Sequence, residues 1–532
     1  MRFCSFLFTI NSKHLYLCGQ EISVPATSDP GGGKSVSRLK KPVEIFCLFG
    51  LLLSRESPGL EGPVLKIFGG SRGRKTLREQ QECREHYGGM RPSPEKRPVT
   101  LFSASIIVIA NMIGTGVFTT LGFQLDSLPS AFAVLCLWVL GGIGAFCGAL
   151  CYGELGAMMP RSGGEYTFLS DIYHPALGFL SGWISIVAGF AAPIALAAIA
   201  LGEYSGAVFP GIDKSVLAVS AILILTVIHV SDVKFGCYFQ NFFTVGKIIL
   251  IVTLIVAGFG AAHPQHLTLI PAAADVKAVF SPAFAISLVY VFYAYSGWNS
   301  ASYIAGEIQN PERNLPLSLF IGTVIVSLCY VLINFIFLYS VPMSELAGKI
   351  DVGYLSAKSI FGRRGGAIMT LLICFALTSS LSSLIMVGPR VTQAMSCDMK
   401  FFGFLSMKNK RGAPVAAIML QSSVAIFLTL TSTFNSVLTY VGFTLALFSS
   451  LAVLGVILLR IKEPRRPRPF KTWGYPVTPA LFLMLYGWML CYLFIDRPLP
   501  SACGLLTVAA GLLFYKLLAA PQPRKSQLKV IS

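Results

Sequence analysis

Beyond residue 100 the chain returns repeatedly to apolar stretches of roughly 18 residues or more, and nothing else in it constrains the fold as strongly. A helix of about 20 residues crosses a hydrocarbon core with every backbone N–H and C=O paired inside the segment; among spanning structures only helices and closed barrels achieve this. Barrel strands would alternate apolar and polar residues over about ten positions, and Ile248 to Phe259 or Leu445 to Leu459 do not alternate. An all-α integral membrane protein follows. About twelve transmembrane helices are expected, beginning near Leu101, Ala131, Ala176, Val216, Phe242, Ala283, Ser318, Ala367, Ala416, Val437, Pro479 and Ala502. Composition agrees, with 12% charged residues against about 25% in an ordinary soluble domain.

A net charge of +18 would suit a nucleic-acid binder, but the basic residues gather between spans, in Lys408, Lys410 and Arg411 and again in Arg460, Lys462, Arg465, Arg466, Arg468 and Lys471. Loops of that kind face the cytoplasm. No nucleic-acid partner is expected, and the partners are the lipid bilayer and a small molecule. An even span count then puts both termini on the cytoplasmic side of the cell's inner (plasma) membrane, the tail carrying Arg524, Lys525 and Lys529. One loop, with Lys349, Lys358, Arg363 and Arg364, breaks the pattern. The 13 cysteines lie mostly inside spans, with no CxxC pair and no Cys/His spacing. They read as small apolar packing residues, Cys147 and Cys151 on one helix face included. No metal and no cofactor is expected.

Residues 1–92 differ from the rest: Gly31-Gly32-Gly33, mixed charge, one short apolar run from Ile45 to Leu53, and no methionine between Met1 and Met90. That run is too short to span, and Phe6 to Ile10 is too short for a signal-peptide core. The expectation is a poorly structured extension, with Met90 the true start, a membrane domain over 93–520 and a cytoplasmic tail over 521–532. A genuine cytoplasmic amino-terminal tail is the alternative.

The chemistry concentrates where two spans are interrupted. In the first, Ile106 to Ile113 is followed by Gly114-Thr115-Gly116 and Val117-Phe118, placing two glycines at bilayer depth. Each costs a helix about 1 kcal/mol relative to alanine. The sixth carries a comparable defect at Ser296-Gly297, within Phe292 to Asn299. Paired defects at corresponding positions of two five-span halves point to a midplane site, where freed N–H groups hold an anion and freed carbonyls a cation. A zwitterion supplies both. Close packing of helices on small residues is the competing explanation for either defect alone. Lys247, at the start of the apolar run Ile248 to Gly258, needs a partner or a water-filled cavity, unless it snorkels from a helix end. Carbonyls near the first break are the expected partners, with its charge replacing a bound cation, and protons are a candidate coupling ion.

These motifs resemble the amino acid, polyamine and organocation permeases, specifically the bacterial relatives of the L-type amino acid transporters. The resemblance runs from Asn111-Met112-Ile113-Gly114-Thr115-Gly116-Val117-Phe118, through Arg161-Ser162-Gly163-Gly164-Glu165-Tyr166, Tyr295-Ser296-Gly297-Trp298 and Gly306 to Pro316, to Arg468 to Pro476. It covers about residues 95 to 518 and implies the LeuT-like fold, two inverted five-span repeats plus two extra helices. It further implies a secondary transporter for a neutral amino acid, sodium-independent, working by exchange or proton symport. Substrate-binding residues are then Met112, Gly114, Thr115, Gly116, Val117, Tyr293, Ala294, Ser296 and Asn299. Amides of Thr115, Gly116 and Val117 would take the carboxylate and carbonyls near Tyr293, Ala294 and Ser296 the amine. Tyr293 would be an aromatic gate and Lys247 a coupling or structural charge. Glu203 to Asp213 lacks the cysteine through which animal L-type transporters pair with a glycoprotein, so no disulfide-linked heavy chain is expected. A membrane sensor that binds without transporting, or a permease for a polyamine or other amine, would share this pocket. An enzyme is the weakest alternative, with six scattered histidines, no H-E-x-x-H and no P-loop.

Overall fold

In a computed structural model of the chain, the described residues are 9–11, 14–17, 20–23, 97 and 99–518, apart from 209–210, 232, 261–263, 268–269, 400–402, 406, 408 and 410–412. They belong to two compact units, Met1–Gly70 and Ser71–Ser532. In the first, β1 (Thr9–Asn11), β2 (His14–Leu17) and β3 (Gln20–Ser23) form an antiparallel sheet in the order β1-β2-β3. The remainder of the expected extension, Met90, the tail over 521–532 and Lys408, Lys410 and Arg411 lie outside the described residues.

The second unit is helical. Its first span is α1 (Leu101–Met112) and α2 (Gly116–Thr119), continued by α3 (Leu121–Ser127). The second span is α4 (Ala131–Met158) and the loop after it carries α5 (Glu165–Ile172). The third joins α6 (Pro175–Ile184), a π-helical stretch Ser185–Ala191 and α7 (Ala192–Val208). Next come α8 (Lys214–Ser231) and α9 (Val233–Gly258). A short α10 (Ala273–Val279) leads into α11 (Pro282–Tyr295), which a 3-10 helix over Ser300–Glu307 continues beyond a break. Then follow α12 (Pro311–Ser340), α13 (Met343–Leu346), α14 (Val352–Asp398), α15 (Val415–Thr431), α16 (Phe434–Lys462), α17 (Val477–Asp496) and α18 (Pro498–Leu518).

Among the described residues, nine helices are long and apolar enough to cross a membrane, and the pair α10–α11, bent by 62°, makes a tenth. The fifth and ninth expected spans are α9 and α15, whose apolar lengths, Phe242–Gly258 and Val415–Thr431, are shorter. Large apolar side chains also cover the outside, among them Val256 at 68% and Leu506 at 67% exposed. A surface apolar all round is what a membrane-embedded helix presents to lipid.

Local chemistry sets the ends. Thr100, Ser130, Ser281 and Thr433 accept hydrogen bonds from the N–H of Ser103, Ala133, Phe284 and Ser436, satisfying donors that a first turn leaves free. Pro282 follows its cap, where a missing N–H costs nothing. The eighth span was expected from Ala367, whereas α14 starts at Val352 and kinks at Gly362, whose φ of 71° suits glycine. The basic loop that broke the charge pattern is therefore partly helix, with Lys358 ahead of the kink.

Candidate functional site

The two interruptions meet. α1 stops at Met112, Ile113 leaves helical geometry with ψ of 85°, and α2 restarts at Gly116. α11 stops at Tyr295 and the chain turns through Ser296, ψ 148°, and Gly297, φ 98°. A Cβ on Gly116 would lie 2.5 Å from the Cα of Ala294, and one on Gly297 would lie 2.8 Å from the Asn111 carbonyl oxygen. Glycine is therefore required at both positions by close backbone approach, and at Gly297 by conformation as well.

Between the breaks is a cavity of ≈ 40 Å³, lined by Asn111, Met112, Gly114, Thr115 and Gly116 of the first span and Tyr293, Ala294 and Ser296 of the sixth. Among the described hydrogen bonds, none uses the N–H of Thr115, Gly116 or Val117 as donor. These are first-turn donors of a restarting helix and carry its partial positive charge. On the opposite wall the carbonyls differ. That of Tyr293 accepts from Ser296 N–H at 3.0 Å, that of Ala294 accepts from Tyr330 Oη at 3.1 Å, and that of Ser296 accepts none of the described bonds. The Tyr293 hydroxyl lies 2.8 Å from Thr115 Oγ1 and ties one break to the other.

Lys247, on α9 and fully buried, donates to the carbonyls of Ala110, 3.0 Å, and Ile113, 2.5 Å, and its Nζ lies 3.4 Å from Ser380 Oγ. Those carbonyls are the unpaired C-terminal end of α1, where a helix carries partial negative charge. Nζ thus sits behind the first break, with three acceptors within reach.

One predicted site residue lies elsewhere. Asn299 does not line the cavity: its Nδ2 donates to Glu165 Oε1 at 2.6 Å and is 3.3 Å from Tyr303 Oη. The turn through Gly297 carries the chain away from the cavity before Asn299, so proximity in sequence misplaces it. Val117 gives the cavity no side chain, being fully buried in the core. Other residues were not foreseen. Pro193 and Ala197 come from the third span, and Ser380, Ser383 and Leu384 from the eighth. Pro193 has no N–H, and just before it the chain loosens into the π-helix, where Ala192 N–H reaches back to Val187. Ser383 donates to Asn111 Oδ1 at 3.1 Å. Tyr330, from α12, puts one hydroxyl 2.5 Å from the Met112 carbonyl and 3.1 Å from that of Ala294, joining both breaks.

Aromatic contacts flank the breaks on either side. Past α2, Phe123 stacks on Tyr290 and Phe434 at 5.6 and 5.9 Å. Past Gly297, Trp298 packs edge-on against Tyr152 at 4.7 Å. There the loop ahead of α5 is fastened down: Arg161 pairs with Asp398 at 2.7 Å, Gly163 N–H reaches Tyr303 O at 3.2 Å, and Gly306 N–H reaches Ser162 Oγ at 3.1 Å.

Comparison with known proteins identifies a family. The sequence model of the family described as amino acid permease matches residues 99–513. The b(0,+)-type amino acid transporter 1 of Mus musculus is 26% identical over 452 residues, 82% of this chain and 91% of the relative. The large neutral amino acids transporter small subunit 2 of Mus musculus is 27% identical over 468 residues, 83% and 87% of the two chains. The Asc-type amino acid transporter 1 of Mus musculus is 25% identical over 426 residues, covering 78% and 80%.

Proposed function

We propose, from the premise that this chain belongs to the amino acid permease family, that it carries a neutral amino acid across the plasma membrane by alternating access, without sodium, by exchange or proton symport. The observation that carries this reading is the meeting of two broken spans around one cavity, with free N–H groups on one wall and carbonyls on the other. The carboxylate of an amino acid fits the N–H groups of Thr115, Gly116 and Val117. Its ammonium fits the Ser296 carbonyl, with the second lone pairs of the Tyr293 and Ala294 carbonyls nearby. Met112, Gly114 and Ala294 bound the backbone of the substrate. Among the described residues no acidic side chain lines the cavity, so burying a cationic side chain there would leave its charge without a partner. Neutral substrates follow.

Tyr293 reaches across to Thr115 and acts as a gate that parts when the two breaks separate. Lys247 supplies the charge that a bound cation would otherwise supply to the end of α1, which makes sodium dispensable. The basic residues in the last turn of α16 and the loop after it, from Arg460 to Lys471, favour a cytoplasmic position for that end and for both termini. Glu203 to Asp213 has no cysteine, so the carrier works without a disulfide-linked partner chain.

Uptake of labelled neutral amino acids into proteoliposomes tests the reading, with and without sodium, a pH gradient and internal substrate. Uptake without sodium that needs internal substrate or a pH gradient is expected. Binding with no uptake under any condition would make the protein a sensor, and a strict sodium requirement would remove Lys247 from the place of the cation.

A further inference from the structure

Among the described residues, six polar side chains line the cavity between the breaks, and hydrogen bonding already commits three of them. Thr115 and Tyr293 hold each other at 2.8 Å. Ser380 Oγ lies 3.4 Å from the Ile113 carbonyl, 3.3 Å from that of Ala376 and 3.4 Å from Lys247 Nζ. Ser296 belongs to the turn whose carbonyl is proposed for the substrate ammonium. Asn111, in the last turn of α1, and Ser383 of α14 remain.

These two are bonded in a way that fixes what they still offer. Asn111 Nδ2 donates to the Ile107 carbonyl at 2.9 Å, and Ser383 Oγ donates to Asn111 Oδ1 at 3.1 Å. A carbonyl oxygen only accepts, so the amide cannot be turned over: Nδ2 faces Ile107 and Oδ1 faces Ser383. Neither bond exhausts its groups. Nδ2 keeps a second N–H, Oδ1 a second lone pair and Ser383 Oγ its own lone pairs, and none of the described hydrogen bonds uses them. Ser383 is only 3% exposed, so the cavity is where that capacity can be met.

A hydroxyl supplies one donor and accepts as well. It can accept from the second N–H of Nδ2 while donating to Oδ1 or to Ser383 Oγ. A methyl in the same place leaves those groups unpaired, and a charged side chain finds no counter-charge among the described lining residues.

We propose that Asn111 and Ser383 form the subsite that reads the substrate side chain, selecting a short side chain that carries a hydroxyl over an apolar one of equal size. The proposal rests on the amino acid transport reading above and adds to it, because the backbone groups invoked there meet only the carboxylate and ammonium that every amino acid has. Asn111 precedes Gly114 by three residues, which keeps the subsite within reach of a short side chain whose carboxylate is held at the first break.

Serine and L-2-aminobutyrate differ only in a hydroxyl against a methyl, and their competition with labelled alanine for the purified protein tests the subsite. A purely apolar wall would favour the aminobutyrate by about fourfold, the worth of one buried methylene. Each neutral hydrogen bond gained is worth about two- to tenfold in affinity. Serine should therefore bind more tightly, by about tenfold with both bonds made. Asn111→Leu, similar in size but without the polar atoms, should reverse the order, whereas a merely structural role for Asn111 would weaken both ligands alike. Ser383→Ala should lose part of the preference and Ser383→Thr, which keeps a hydroxyl, should retain it; this pair decides the matter where the leucine variant fails to insert. Aminobutyrate binding as tightly as serine to the wild type, or a serine preference unchanged in Asn111→Leu and Ser383→Ala, overturns the proposal while leaving the transport reading intact, since both ligands still bind. Serine-selective binding with no uptake under any condition counts against transport alone. Binding of none of the three amino acids to monodisperse protein overturns both.

Discussion

Lys247→Met removes the ammonium while keeping most of the stem, so its effect is electrostatic rather than a cavity. Two carbonyls, of Ala110 and Ile113, lose their buried donor at the end of α1. Leaving a buried polar group unpaired costs about 1–3 kcal/mol, so the pair costs about 2–6 kcal/mol in the conformation where the break is held open. Relief comes from closing the break, by turning those carbonyls back toward the N–H groups of the following turn. For the Ile113 carbonyl that N–H is Val117's, one of the three proposed to hold the substrate carboxylate. Even the lower bound of about 2 kcal/mol corresponds to about 30-fold in affinity. Labelled amino acid binding to purified protein measures it, with exchange in proteoliposomes as the functional counterpart. Lys247→Arg should recover only part of the loss, because a planar fork cannot reproduce three convergent bonds from one nitrogen. Wild-type affinity in Lys247→Met would refute the reasoning and leave the lysine a packing residue.

The glycines of the first break should separate into two behaviours. A Cβ at Gly114 meets only the Met112 carbonyl oxygen, at 3.7 Å, so Gly114→Ala should insert with near wild-type thermal stability yet bind substrate at least about tenfold more weakly, because the methyl enters a small cavity. A Cβ at Gly116 lies 2.5 Å from Ala294 Cα, so Gly116→Ala should lower stability by about 1–3 kcal/mol, read as a fall in unfolding temperature. Tyr293→Phe keeps the ring and loses the 2.8 Å bond to Thr115; a neutral hydrogen bond is worth about 0.5–1.5 kcal/mol, so substrate dissociation should quicken by about two- to tenfold in a rapid-mixing assay. Glu154, 1% exposed, meets Arg460 at 2.6 Å and Arg468 at 3.4 Å. Glu154→Gln leaves two guanidinium groups without their counter-charge and should cost about 3–5 kcal/mol, visible as loss of monodisperse protein on size exclusion.

What the sequence discloses is governed by how each feature is encoded. Spans show because lipid demands a run of apolar residues whichever way a helix is turned, and both breaks show because glycine at membrane depth is a local anomaly. Rotation about the helix axis leaves no comparable trace. Tyr330 lies in an unbroken stretch of an apolar helix and resembles any core aromatic, yet its hydroxyl joins both breaks. Pro193 and Ala197 are similarly silent. Ser379, Ser380, Ser382 and Ser383 did offer a signal, four hydroxyls within five residues of one span, and two of them line the cavity. Asn299 misled for the opposite reason, since nearness to the break in sequence said nothing of the turn at Gly297.

The same division explains why the class of cargo is more legible than its identity. Groups proposed to take the carboxylate and the ammonium belong to the backbone, at Thr115 to Val117 and at Ser296, and the backbone is common to every amino acid carried this way. Choice among neutral side chains must come from whatever faces the rest of the cavity. There the third span offers Pro193 and Ala197, and the eighth offers Ser380, Ser383 and Leu384. No residue of α16 is among the described residues lining this cavity. Small residues dominate that wall, and the one larger apolar chain is Leu384, whose carbonyl is fixed at 3.0 Å by Gln421 of α15. If this cavity holds the substrate as proposed, Leu384 limits the depth available to its side chain, at a position held from behind by the ninth span. Leu384→Ala should widen the range toward bulkier neutral amino acids in a competition panel while leaving the affinity for the smallest within a few-fold of wild type. An unchanged panel would show that discrimination resides in the moving gates rather than in this wall.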